Sequence, residues 1–277
     1  MTATPGRHLG AERVGDDRGA RPRWLHRAIP PGDYGAFVVD RMSDEQMARL
    51  THGEYLGAMV DYRRQFPDLP NITRVLERVP GGALRLWMTD GPQEVAMMAG
   101  LARGHTGRVL VTGLGMGIVQ QRLLARSEVT GVTTVEAHPD VPLLHQGAAW
   151  FADPRHEVLA ADADEVLPEL VAAGGYDGYL LDHWDSVGDH LEDKVAFLRL
   201  LDDHGQRHRR VSMWGFWWEV ERTSESDDPD TATLLAEIRR CEGCGVILAR
   251  AGDPPDAFSV PAAVDGSGCV PCAGRAA

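Results

Sequence analysis

The sequence predicts an α/β protein built on one doubly wound parallel sheet. Three observations carry this. Short β-branched runs alternate five times with helix-length stretches between Arg108 and Trp218, the order that right-handed crossovers turn into a parallel sheet. The first run ends in a glycine-rich turn, Gly113-Leu114-Gly115-Met116-Gly117. Acids then stand at the ends of the following runs: Glu136, Asp162 and Asp182.

Residues 1–35, rich in Gly, Pro, Arg and Asp without an apolar period, read as a flexible arm. A helical N-terminal cap or lid is expected over 36–105. Its first helix starts at Ser43, which can cap with Gln46 behind it, and continues through Met47, Leu50, Tyr55, Leu56 and Met59. A short segment from Ile72 to Val79 stops at Pro80-Gly81-Gly82, and a helix runs from Pro92 to Ala102 with proline in its first turn. The sheet domain covers 106–277. Its strands are read at 109–111, 132–137, 156–160, 176–182 and 210–218. Helices are read over 117–127, 140–151 and 164–174, the last closed by glycine. Another spans 191–203, with Leu191, Val195, Leu198 and Leu201 along one side. A further helix is expected at 231–240. GVILAR and AFSVPAAV, separated by GDPPD, then read as an antiparallel hairpin on the sheet edge.

With 277 residues, 43 % of them hydrophobic, the composition is that of a soluble globular protein. No apolar run approaches the roughly 18 residues of a membrane span, and the N-terminus lacks the apolar core of a secretory signal. A cytoplasmic protein without membrane partners is expected. The net charge of −13 argues against a nucleic-acid surface. It is compatible with a cationic substrate, and acidity also simply keeps a protein soluble. A homodimer is compatible with this composition.

The glycine turn sits between a strand and a helix, where glycines let backbone approach a ligand at a helix N-terminus. Its spacing is GxGxG, and Ile118 stands where a dinucleotide fingerprint has its last glycine. That fits an S-adenosylmethionine loop better than a dinucleotide loop. Glu136 can accept both ribose hydroxyls and Asp162 can reach the adenine amino group. Each acid alone reads as a solvated loop residue, but together they mark the strand ends where open sheets bind ligands. The expected cofactor residues are Gly113, Leu114, Gly115, Gly117, Glu136, Ala137, Asp162, Ala163 and Asp182.

Four local sequences go beyond the class: VLVTGLGMGIV (109–119), VEAHPDV (135–141), DEVLP (164–168) and YDGYLLDHW (176–184). They resemble the arginine δ-N-methyltransferases and their relative guanidinoacetate methyltransferase, class I S-adenosylmethionine-dependent enzymes. EAHPDV is the most specific of the four, and the resemblance spans about residues 85 to 220. It implies a Rossmann-like methyltransferase sheet, with Asp182 at the position that binds the guanidino group. The family's W-E-x-P glutamate has its nearest match in Trp87-Met88-Thr89-Asp90-Gly91-Pro92, which makes Asp90 the candidate replacement and Glu94 the reserve. The chain departs from the family in having Val111 where the guanidinoacetate enzyme has an acid, and DHW (182–184) in place of DTY.

A guanidinium is permanently charged below about pH 12 and has no free lone pair. Methylating it requires orientation and removal of a proton, and carboxylates do both. Asp182, with Asp90 or Glu94, therefore forms the expected catalytic set. Asp185 reads more simply as a helix cap. His183 could serve as a base or as a structural hydrogen-bond partner. Trp184, Trp214, Trp217 and Trp218 could bind a cation or fill the core.

Cys241-x2-Cys244 and Cys269-x2-Cys272 flank the expected hairpin. Two such knuckles at ribbon-like spacing predict a closed, structural zinc site, with two disulfides as the other reading. Three functions follow. The first is N-methylation of a guanidino group in arginine, a small metabolite or a peptide. The others are aminopropyl transfer from decarboxylated S-adenosylmethionine, and a non-catalytic cofactor-binding or zinc-ribbon interaction module.

Overall fold

The structure is a computed structural model that describes residues 29–42, 72–184, 190–206, 209–216, 247–248 and 259–260. Five strands form the parallel sheet: β5 (Gly107–Thr112), β6 (Val129–Glu136), β7 (His156–Ala160), β8 (Gly178–Leu181) and β9 (Arg210–Met213). Their order is β7-β6-β5-β8-β9, so the chain reverses its direction of growth between β5 and β8. A Rossmann-like sheet binds ligands at this switch point, beyond the carboxyl ends of its strands.

Alternation along β5 divides the core. Val109 and Val111 face one side, with Ile118, Val119 and Leu123 of α2 (Ile118–Leu124) and Val95 and Met98 of α1 (Pro92–Ala102). Leu110 faces the other, with Leu167 and Val171 of α3 (Ala163–Ala173) and Val195 and Leu201 of α4 (Leu191–Asp203). Each of these side chains leaves water almost completely, worth roughly 1.5–3 kcal/mol apiece before entropy. Both faces are covered, as a parallel sheet requires.

The expected alternation of strands and helices is therefore present, with shorter elements. The helix expected over 140–151 is a single 3-10 turn, Val141–His145. Pro142 and Gly147, the latter at φ 85, leave room for little more. β9 ends at Met213 because the chain turns through Gly215 at φ 69.

The cap differs more from expectation. Its described part is an antiparallel sheet, β1-β2-β3-β4, made by Gly32–Tyr34, Phe37–Met42, Ile72–Arg78 and Leu84–Thr89, followed by the expected helix α1. Residues 32–34 of the arm expected over 1–35 thus form β1, and residues 1–28 lie outside the described residues. Phe37, Val39 and Val75 bury their side chains in the same cluster as α1 and α2. The EAHPDV segment ties the cap down: an Asp140 carboxylate oxygen accepts the Ala36 N–H at 2.8 Å, and Phe37 packs edge-on to His138 at 4.8 Å. The helix expected from Ser43 lies outside the described residues.

The C-terminal expectation is corrected in one respect. β10 (Ile247–Leu248) and β11 (Ser259–Val260) pair in parallel and form a sheet of their own, not an antiparallel hairpin on the main sheet. Proline has φ fixed at about −65°, so the Pro254-Pro255 pair in the sequence between them is a poor match for a tight hairpin turn. The helix expected at 231–240 and all four cysteines lie outside the described residues.

Candidate active site

A cleft of about 790 Å³ opens at the switch point, over the ends of β5, β6 and β8. Two glycines of the turn are required by its geometry. Gly113 has φ +82, and a Cβ there would lie 2.0 Å from the Asp182 carbonyl oxygen, so only glycine lets β5 and β8 finish this close together. Gly117, at φ +70, caps α2, and a Cβ would enter the ring of Trp150.

The loop is held by side chains around it. The Glu136 carboxylate accepts the Leu114 N–H at 2.9 Å on one oxygen and the His138 N–H at 2.7 Å on the other. The ring of His145 donates through Nε2 to the Gly115 carbonyl at 2.9 Å, and Gln120 donates to the Gly113 carbonyl at 3.0 Å. Asp162 accepts the Asp164 N–H at 3.0 Å and so caps α3 from its place in the cleft wall. Every cofactor residue expected from the sequence lines this one cleft, and so do Glu94 and His183.

Asp90 does not line it. That side chain is buried at the end of β4, where its carboxylate accepts the Thr73 N–H at 2.5 Å and its own N–H returns to the Thr73 carbonyl. The neighbouring turn of α1 instead brings Glu94 to the cleft, which Met98 and Asp182 also line.

Asp182 and Glu94 are electrostatically unusual. Desolvation, with repulsion from Glu94 added, raises the Asp182 carboxyl well above the usual carboxylate range, and Lys194 pulls it back down. Desolvation alone pushes Glu94 up to about 7. Two acids sharing a poorly hydrated wall resist ionising together, and a cation entering between them relieves both penalties.

His183 is committed elsewhere. His183 Nε2 faces the Asp164 carboxylate at 3.2 Å, which can only accept, so in the neutral ring the proton sits on Nε2. Nδ1 then accepts from the Thr112 hydroxyl at 2.6 Å, whose oxygen also takes the Asp182 N–H at 3.1 Å. Burial lowers the ring's pKa against the pull of Asp164, so the imidazole is neutral and both nitrogens are engaged.

Aromatic residues complete the walls. Trp87 stacks on Phe37 with centroids 4.4 Å apart, and Trp184 and Trp214 also line the cleft. Trp217, Trp218 and Asp185 lie outside the described residues. Two features escaped the sequence reading. One is Lys194, fully buried on α4 with its ammonium 4.5 Å from the centre of the Trp184 ring. The other is Arg85, at the cleft edge and held by Glu77 at 3.1 and 2.5 Å. Lys194 left a signal: it occupies the third-residue step in the apolar stripe that starts at Leu191.

Among the described residues no group of three or more His, Cys, Asp or Glu is placed to hold a metal ion, and no helix is long and apolar enough to cross a membrane.

No family model and no curated protein matches this chain. Among solved structures it is similar to the crystal structure of spermidine synthase from Thermotoga maritima, at 18 % identity and a TM-score of 0.38, over 56 % of this chain and 60 % of that one. The crystal structure of spermidine synthase in complex with the transition-state analogue AdoDATO gives 18 % identity and a TM-score of 0.38, over 56 % of this chain and 59 % of that one. The chain thus matches less than two thirds of the length of either structure.

Proposed function

We propose that this protein moves an alkyl group from an S-adenosyl sulfonium donor to a nitrogen of a cationic acceptor. The observation that carries the proposal is the paired acids Asp182 and Glu94, poorly hydrated and set beside a glycine turn that only glycine can make. The donor's fit rests on the bare backbone at Gly113 and on Glu136, in the position to meet a ribose. Such a donor supplies a carbon made electrophilic by its sulfonium, which ends as a neutral thioether when the nitrogen–carbon bond forms. Asp182 orients the acceptor cation, Glu94 completes the grip, and one of the two carboxylates takes the proton that the nitrogen must lose. Asp90, pinned to Thr73, and His183, used at both nitrogens, are left with structural roles.

Two forms of the reaction fit. The motifs of the glycine turn, EAHPDV and YDGYLLD support methyl transfer to a guanidino group. The charge of the cleft favours the second form, aminopropyl transfer to an amine. Among the described lining residues five are carboxylates, Glu94, Glu136, Asp162, Asp164 and Asp182, while Arg85 is already engaged by Glu77. A donor that has lost its own carboxylate meets less repulsion there. The test is mass spectrometry of reactions containing S-adenosylmethionine or its decarboxylated form, each with a guanidino series and an aliphatic diamine series. Alkylated product from one donor decides the form. No binding of either nucleoside by calorimetry would end the proposal.

The four-cysteine zinc site stays a separate proposal, resting on the spacing of Cys241, Cys244, Cys269 and Cys272. One zinc per chain by metal analysis is expected, and a zinc-free folded protein with two disulfides would refute it.

A further inference from the structure

Helix α4 buries a charge that the chemistry above does not use. Its apolar stripe runs Leu191, Val195, Leu201, and Lys194 sits within that stripe at zero exposure. An ammonium is tolerated in a core only against compensating groups. One is the indole of Trp184, whose ring centre lies 4.5 Å from Nζ, within cation–π range. Trp184 is two residues beyond Asp182, and both line the cleft while Lys194 does not. A core cation thus lies against an indole that lines the cleft two residues beyond the cleft carboxylate.

We propose that Lys194 is a positioning residue of this site, which seats the indole of Trp184 in the cleft wall beside Asp182, where a cationic acceptor is received. The last part rests on the function proposed above. Other described groups lie near this point. Glu94, from α1, acts on Asp182 in the opposite sense to Lys194. His183 is neutral between Thr112 and Asp164. His190 stacks on Trp184 at 6.1 Å and pairs with Asp193 at 3.2 Å. Lys194 is therefore the described cation that acts on Asp182 and opposes its burial.

The test compares Lys194→Met and Lys194→Arg in the full chain. Carbon-13 NMR would follow the aspartate carboxyls against pH, with the Asp182 signal identified by its loss in Asp182→Asn. The Asp182 midpoint should rise in Lys194→Met and return toward its starting value in Lys194→Arg. Binding of guanidine and of 1,4-diaminobutane, used as probe cations, should weaken by about tenfold in Lys194→Met, while S-adenosylhomocysteine binding stays within about twofold. An unmoved Asp182 midpoint in Lys194→Met would overturn the proposal. So would loss of near-UV circular dichroism in both variants, which would make Lys194 a packing residue. A shifted midpoint in a protein that binds neither probe cation in any form would uphold the coupling and sink the functional reading instead.

Discussion

The two walls of the cleft are built on opposite principles. The wall made by β5 and β6 is settled: the Glu136 oxygens, the His145 ring and the Gln120 amide all hold loop backbone, at 2.7–3.0 Å. The wall made by the end of β8 and by α1 is poised: Asp182 and Glu94 lose hydration and repel each other, with Lys194 buried behind. A settled wall binds something whose shape is the same in every turnover. A poised wall binds something whose charge completes it. On the proposed function the first wall takes the donor and the second the acceptor, and each assignment can be broken separately.

The largest effect is expected where the walls meet. Gly113→Ala would drive a methyl group into the Asp182 carbonyl, 2.0 Å away, at a φ that alanine resists. A loss of about 3 kcal/mol or more in denaturant unfolding is expected, together with loss of nucleoside binding. A stable Gly113→Ala protein would mean that the strand ends can part. Next comes Asp182→Asn, which keeps shape and removes charge. Transfer should fall on the order of 100-fold in kcat/KM, while the S-adenosylhomocysteine Kd holds. If the Kd moves with kcat/KM, the division of labour between the walls is wrong.

On the settled wall, Glu136→Ala should weaken S-adenosylhomocysteine by about 1.5–3 kcal/mol in calorimetry. It removes a charged acceptor and releases the Leu114 and His138 N–H groups together. Acceptor KM at saturating donor should barely change. Equal effects on both ligands would show that the loop, and not one wall, holds the site.

The same division explains what could be read from the sequence. The settled wall is written in contiguous motifs, because glycine spacing and a strand-end acid specify backbone locally. Hence Gly113, Glu136 and Asp162 fall where the pattern puts them. The poised wall is assembled from β8, α1 and α4, which are far apart in the chain. From Trp87-Met88-Thr89-Asp90 alone, Asp90 is the first candidate and Glu94 the reserve, and the structure reverses that order. Only the pairing of β3 with β4 decides, by fastening Asp90 to Thr73. The cap eluded the pattern for a different reason. β4 exposes Leu84, Arg85, Leu86 and Trp87 in succession, so its apolar residues do not mark a buried face.

The smallest effect is also the one that reads the poised wall most directly. Glu94 has an ordinary value of 4.5 and is pushed up to about 7 by burial. Its folded form therefore holds a proton that the unfolded chain gives up earlier. The stabilising contribution is complete below about pH 4.5, where both states are protonated, and is lost as pH rises through about 7. Glu94→Gln should abolish that slope. The variant should gain about 1–2 kcal/mol over the parent at pH 8, less than the full shift implies because the side chain borders the cleft and its water. Acceptor binding should run the other way. As Glu94 ionises across pH 7 it becomes a partner for a cation, so acceptor KM should fall with rising pH in the parent, and less steeply in Glu94→Gln, where Asp182 alone titrates. Stability and acceptor affinity then change in opposite directions across one titration, which a merely misplaced surface carboxylate would not produce. Parallel changes, or a flat parent profile, would remove Glu94 from the acceptor wall.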